Sequence, residues 1–261
     1  MRATISWLGP IIVFLIIIVL PALANLEDGL VLYLPFDAGQ GKVASDLSEN
    51  KSNGSITGAE WVEGKFGKAL SFNGKDSFVE APFSDVFNIT EAISLGAWVT
   101  ANVPFNPQWR GIINARKSTY GPYLLQTGGA AKAEIGLYLS GAWTWLRTSS
   151  SLEPKAFHHV VGTYDQKNGL HIYFDGAIDD GEGSAGAKAG PIDETPDEGV
   201  VIGHNYNFAG RWWDGIIDEV VIYNRALSED EVKELFLAPP VSAAVRAMGK
   251  LATTWGHLKN Y

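Results

Sequence analysis

The sequence predicts an all-β protein, a β-sandwich or two-sheet antiparallel jelly roll with one short C-terminal helix. Three observations carry this. Apolar residues recur with period two in short runs across residues 25–224, turn dipeptides separate the runs, and a capping box marks a single helix near the end. At 261 residues there is room for one large β-domain, and 11% aromatic residues belong to a chain that folds.

The runs are LVLYLPF (30–36), ISLGAWV (93–99), AEIGLYL (133–139), HHVVGTY (158–164), LHIYFDG (170–176), VVIG (200–203) and IIDEVVIY (216–223). Asn53-Gly54, Asn73-Gly74, Asn168-Gly169 and Asp175-Gly176 punctuate them; Asn-Gly and Asp-Gly tolerate the positive φ of tight hairpins. Residues 158–164, 170–175 and those from 177 onward therefore read as a three-stranded meander. Segment 180–199 is rich in Gly, Ala, Pro and acids and reads as a surface loop. Ser228 with Glu231 three residues on makes a capping box, Val232, Leu235 and Phe236 share a helical face, and Pro239-Pro240 ends the helix.

Residues 25–237 form the domain. Ahead of it, Arg2, the apolar stretch 7–20 and Pro-Ala-Leu-Ala (21–24) have the form of a secretory signal ending at Ala24. Left uncleaved, the same segment would be a membrane anchor. Behind the domain lies a basic tail, 238–261. Arg2 is the single charge in 1–24 and Arg246, Lys250 and Lys259 are the three in the tail, so the body holds 16 of the 20 bases and all 29 acids, a net charge of −13. That balance argues against nucleic acid as partner. The absence of cysteine excludes disulfides and thiolate zinc sites.

Five segments, in order, resemble the laminin G-like, concanavalin A-like jelly-roll family of bacterial secreted proteins: LVLYLPFDAG (30–39), GKFGKALSFNGKDSFVEAP (64–82), ISLGAWV (93–99), FHHVVGTYDQKNGLHIYFDG (157–176) and GIIDEVVIYNRALSEDEV (215–232). Phe157 stands where the family usually has Trp. The resemblance implies a binding module for an extracellular glycan or protein; an accessory module of a carbohydrate-active system and a structural surface protein are the other classes it leaves open.

Alternation places Asp218 with Ile216, Val220 and Ile222, and Glu219 on the opposite face with Ile217, Val221 and Tyr223. Both faces are apolar, so the strand is covered on both sides, and a buried carboxylate then needs a partner, hydrogen bonds or a metal. The resemblance implies a structural calcium joining the first strand to the last through Asp37 and Asp218, with carbonyls near Asn73–Ser77 completing its shell. Hydrogen bonds from loop amides are the alternative. His158 and His159 are adjacent, so strand alternation points them to opposite faces, and the resemblance implies that they are structural.

Enzymatic motifs are missing. Asp218-Glu219 is adjacent rather than spaced for a shared cleft, the remaining acid runs lie in 179–198, and there is no Gly-x-Ser-x-Gly or His-Glu-x-x-His. The expectation is a non-catalytic chain. Candidate ligand-binding residues are Trp109 and Arg110 in the turn-rich 104–111, Trp143 and Trp145 on one face of a strand, and Trp212; Trp98 and Trp213 are assigned to the core.

Overall fold

A computed structural model describes residues 25–102, 109–115, 121–184, 189–193, 199–205 and 208–240. The N-terminal segment 1–24 and the tail from 241 onward lie outside the described residues. The first third of the chain holds β1 (Leu30–Leu34), β2 (Val43–Ala44), β3 (Gly54–Thr57), β4 (Glu60–Glu63), β5 (Lys68–Asn73) and β6 (Phe78–Ala81). Next come β7 (Ala92–Val99), β8 (Gly111–Ala115), β9 (Tyr123–Thr127), β10 (Ala133–Leu139) and β11 (Ala142–Thr148). The last third holds β12 (His158–Asp165), β13 (Gly169–Phe174), β14 (Ala177–Ile178), β15 (Asp180–Gly183), β16 (Val200–Ile202), β17 (Asp214–Tyr223) and α1 (Glu229–Leu237).

Two antiparallel sheets form the sandwich. The first has eight strands in the order β14-β13-β12-β7-β17-β5-β4, with β1 also paired to β17; the second has nine, β15-β11-β10-β9-β8-β16-β6-β3-β2. Alternate residues of each sheet meet in one core, for example Leu95, Ala97, Val160 and Ile172 from the first and Ile113, Leu125, Ile135 and Leu137 from the second. The expected meander is present as β12, β13 and β14, turning at Gly169 and at Asp175-Gly176, where φ is positive.

The first sheet is covered on its outer face as well. Tyr33, Val161, Tyr173, Val221 and Tyr223 point outward and pack against Leu227, Val232 and Leu235. The capping box forms as expected, Ser228 accepting from the Glu231 N–H. Burying Val232 and Leu235 contributes roughly 1.5–3 kcal/mol each, which offsets the cost of ordering a helix this short. Phe236 adds a stack on Trp98, with centroids 5.2 Å apart. The outward face of the second sheet is therefore the broad surface left for a site.

Two expectations need correction. First, Asp180–Gly183 is a strand and not loop: its backbone pairs with β11 at the edge of the second sheet, although Asp-Gly-Glu-Gly has no apolar residue to signal it. Second, the alternation along β17 breaks. Glu219 adopts φ 52° and the register shifts between Asp218 and Val221, a β-bulge. Ile217, Val220 and Ile222 consequently all face the core, and Asp218 faces outward opposite Trp98. Glu219 also turns outward, where the Tyr33 hydroxyl donates to its Oε2 at 2.5 Å. Among the described residues no helix is long and apolar enough to cross a membrane.

Candidate functional site

A cavity of about 390 Å³ opens on the outward face of the second sheet. Alternation on β9, β10 and β11 builds it, because residues 124 and 126, 134 and 138, and 143, 145 and 147 all point away from the core. The β10–β11 turn sets the register. Ser140 and Gly141 both have positive φ, as a two-residue hairpin demands, and this places Tyr138 opposite Trp143, Gly136 opposite Trp145 and Glu134 opposite Arg147.

The walls are aromatic. Trp143 tilts against Tyr138 with centroids 5.1 Å apart and lies across Gly136, where a Cβ would come within 2.2 Å of the indole. Arg147 stacks its guanidinium carbon 4.2 Å from the Trp145 ring centre. From the opposite rim come Trp109, Phe208 and Arg211, the Arg211 guanidinium lying 3.7 Å from the Phe208 ring centre and 5.1 Å from that of Trp109.

The floor is polar and internally bonded. Asn205 Nδ2 donates to Gln126 Oε1 at 2.7 Å, Gln126 Nε2 donates to Glu134 Oε1 at 2.6 Å, and Arg147 Nε donates to Glu134 Oε2 at 2.5 Å. Arg147 Nη1 continues the chain to Glu182 at 3.2 Å. Gln126, Glu134 and Asn205 are each at most 3% exposed, and such a buried network holds its members in one geometry only when satisfied from end to end. Beneath it, the Asn114 Oδ1 atom is buried without a protein partner among the described residues. Flat aromatic walls over a rigid polar floor suit a ring-shaped ligand with one apolar face and several polar substituents.

Of the residues expected to contact ligand, Trp109, Trp143 and Trp145 come together in this cavity. Arg110 and Trp212 do not line it. Arg110 donates through Nη1 to the Trp212 carbonyl at 2.9 Å, and Trp212 stacks flat on His204 with centroids 3.5 Å apart. Burial holds the His204 imidazole down to about 4, so the stack is neutral at pH 7. Glu134, Gln126, Arg147, Asn205 and Arg211 were not anticipated. A signal for two of them existed: a two-residue turn at Ser140-Gly141 sets Glu134 opposite Arg147.

Asp37 and Asp218 hold one loop from two sides. Asp218 is fully buried; its Oδ2 accepts from the Lys65 N–H at 2.8 Å and the Phe66 N–H at 3.2 Å, and its Oδ1 from the Glu219 N–H at 2.9 Å. Asp37, which is exposed, accepts from the Lys68 N–H at 3.0 Å. Gly64 and Gly67 permit this approach, since a Cβ at either would meet the Asp218 or the Asp37 carboxylate. Along β17, β5 pairs with 214–217 and β1 with 220–223, so the bulge falls between two partner strands and Asp218 takes the loop amides there. Burial and the neighbouring Glu219 carboxylate push the Asp218 carboxyl up to about 8, against the pull of the three N–H donors. Lys65 caps the outer face, its ammonium 4.2 Å from the Trp98 ring centre.

This donor set does not fit calcium. N–H groups, with their positive ends inward, face Asp218 where a cation needs oxygens. Among the described residues no three Asp, Glu or His side chains are placed to share an ion. Asn73–Ser77 sits at the far end of the six-residue β5, about 17 Å from Lys68 at strand rise, too far to share a shell with Asp37. His158 accepts from the Glu153 N–H through Nε2 and donates through Nδ1 to Asp175 Oδ2 at 2.9 Å, and burial takes His159 down to about 3; both serve the fold.

No curated protein matches the chain. Among solved structures, the binding domain of Paraclostridial Mosquitocidal Protein 1 is similar with TM-score 0.65 at 18% identity, over 81% of this chain and 52% of that one. Domain 4 of AbnA, a GH43 extracellular arabinanase from Geobacillus stearothermophilus solved with arabinotriose, is similar with TM-score 0.63 at 21% identity, over 79% of this chain and 97% of that one. Trypanosoma rangeli sialidase, with the inhibitor DANA, gives TM-score 0.57 at 19% identity, over 79% of this chain and 32% of that one. This chain thus spans about half of the mosquitocidal binding domain and a third of the sialidase, and at these identities the likeness is one of fold. Residues 73–233 match the laminin G family described as the Concanavalin A-like lectin/glucanases superfamily, and the chain belongs to that family.

Proposed function

We propose that the cavity on the second sheet binds carbohydrate and that the chain is a secreted, non-catalytic recognition module. The observation that carries this is the pairing of indole walls, Trp109, Trp143 and Trp145, with the buried floor of Gln126, Glu134 and Asn205. A pyranose or furanose ring offers an apolar face to an indole and in-plane hydroxyls to amides and carboxylates. The fold is consistent with the reading: an arabinanase domain with the same architecture was solved with arabinotriose. Non-catalysis is supported by the lining, in which Glu134 is the one carboxylate among the described residues and has both oxygens engaged, whereas glycoside hydrolysis uses two. Export rests on residues 1–24.

The test is a screen of the full chain against a polysaccharide panel by affinity electrophoresis, repeated with Trp143→Ala and Trp145→Ala. Saturable binding lost in both variants, with no reducing ends released, supports the proposal. Binding that both variants retain in full, or turnover of a bound glycan, overturns it. Mass spectrometry of exported protein tests the signal, with Asn25 as the expected first residue.

A further inference from the structure

We propose that the sugar taken by this cavity is anionic, a glycan carrying a carboxylate, and that Arg211 reads the charge. The inference rests on the carbohydrate reading of the same cavity and names the class of sugar.

The body of the chain is acidic, yet this cavity sets two guanidinium groups, Arg147 and Arg211, against one lining carboxylate, Glu134. The two arginines are not equivalent. Arg147 is committed: its Nε goes to Glu134 and its Nη1 to Glu182, so it completes the floor. Among the described residues no carboxylate pairs with Arg211. Its backbone carbonyl accepts from the Gly111 N–H at 3.2 Å and the Asn205 N–H at 3.1 Å, which fixes where the side chain starts. Its guanidinium rests against Phe208 and Trp109. A guanidinium in cation–π contact keeps N–H donors for hydrogen bonding, and its planar fork matches a carboxylate in two parallel bonds.

Energetics point the same way. Burial alone pulls the Arg211 pKa down, and the Glu134 charge only partly restores it. A partly desolvated cation gains most from an anion brought by the ligand, and charge-assisted hydrogen bonds are roughly twice as strong as neutral ones. Glu134 repels such a ligand less than an unpaired carboxylate would, because the Arg147 guanidinium offsets its charge and the Gln126 amide occupies its other oxygen. The arrangement accommodates a uronate-type ring: its apolar face against Trp143 or Trp145, its carboxylate toward Arg211. A neutral sugar would fill the same walls and leave the Arg211 donors to water.

The experiment compares uronate polymers (polygalacturonate, alginate and hyaluronate) with their carboxyl-reduced counterparts, which keep the ring and lose the charge. Binding to the full chain is measured by calorimetry at two salt concentrations. At least one charged polymer is expected to bind tenfold or more tightly than its reduced form, and less tightly at high salt. Arg211→Gln should erase that difference, Arg211→Lys should restore part of it, and Trp143→Ala should weaken charged and reduced forms alike. If reduced and charged forms bind equally and Trp143→Ala abolishes both, the carbohydrate site stands and the anionic preference is overturned. If Arg211→Gln weakens both forms by the same factor with the Tm unchanged, Arg211 packs the wall and does not read charge, and the proposal fails. If no polymer of either kind binds, and the wider panel also fails, the carbohydrate reading falls with it.

Discussion

Trp143 lies across Gly136 on the neighbouring strand, so closely that a Cβ at position 136 would stand 2.2 Å from its Cζ2 atom. The absence of a side chain at one position on β10 therefore sets the orientation of an indole on β11, and with it one wall of the cavity. Gly136→Ala should push the indole off its seat at a cost of about 1–3 kcal/mol, as small-to-large changes in packed sites do. Glycan affinity should fall about tenfold while the far-ultraviolet circular dichroism stays that of the wild type. Unchanged affinity in titration calorimetry would show that Trp143 does not need this seat.

Glu134 joins Gln126 to Arg147 under the cavity. Glu134→Gln removes the charge and leaves Arg147, whose side chain is only 15% exposed, with Glu182 as its remaining acidic partner. The expected loss is about 1–3 kcal/mol. For a domain of this size that is a Tm drop of roughly 2–12 °C, since each kcal/mol is worth about 2–4 °C. Binding should weaken in parallel. A Tm unchanged in scanning calorimetry would show the network to be slack.

Much of this architecture is legible in the residues, and the exceptions have physical causes. Period-two runs and Asn-Gly or Asp-Gly turns mark the strands around β12 and β13, and Ser228 with Glu231 marks the helix. The faces of β17 were not legible. Ile216 to Tyr223 reads as unbroken alternation, and nothing in Asp-Glu-Val-Val announces that Glu219 takes a positive φ. β15 was hidden because an edge strand held by backbone pairing and polar side-chain contacts, such as Arg147 with Glu182, needs no apolar residue. In the cavity the indoles were visible as surface aromatics, but the floor was not: Gln126, Glu134 and Arg147 become neighbours only once three strands are placed in register.

Asp218 should make stability fall at mildly alkaline pH. Its folded pKa, raised to about 8, lies above the unfolded value near 4, so the native state holds the extra proton and its stabilisation is lost as pH rises through 8. His159 and His204 act in the opposite sense, since their lowered folded values make stability rise as pH climbs toward the unfolded value near 6.5, a gain nearly complete by about pH 7.5. Between about pH 7.5 and 8.5 Asp218 therefore dominates. Denaturant titrations should show a loss of about 1 kcal/mol per pH unit there. Asp218→Asn should flatten it, and a wild-type slope that persists in the variant would assign the titration elsewhere.

Calcium at Asp37 and Asp218 is decided by chelation. A loop held by N–H donors should melt at the same temperature with and without a chelator. An ion bound at a hundredfold excess over its Kd would add about 2.7 kcal/mol, or roughly 5–11 °C of Tm. A fall of that size, reversed by added calcium and absent in Asp218→Asn, would establish the metal against the amide clamp.

The most direct test of the central claim, that the cavity on the second sheet is where glycan binds, is oxidative footprinting of the tryptophans with and without saturating polysaccharide. Trp109, Trp143 and Trp145 line the cavity, whereas Trp61 on β4 and Trp212 on its His204 stack do not, and all five are partly exposed. Protection is expected at Trp143 and Trp145, and at Trp109 on the rim, with Trp61 and Trp212 oxidised at their unliganded rates. Protection of Trp61 or Trp212 with the three cavity indoles unprotected would place the ligand elsewhere and contradict it.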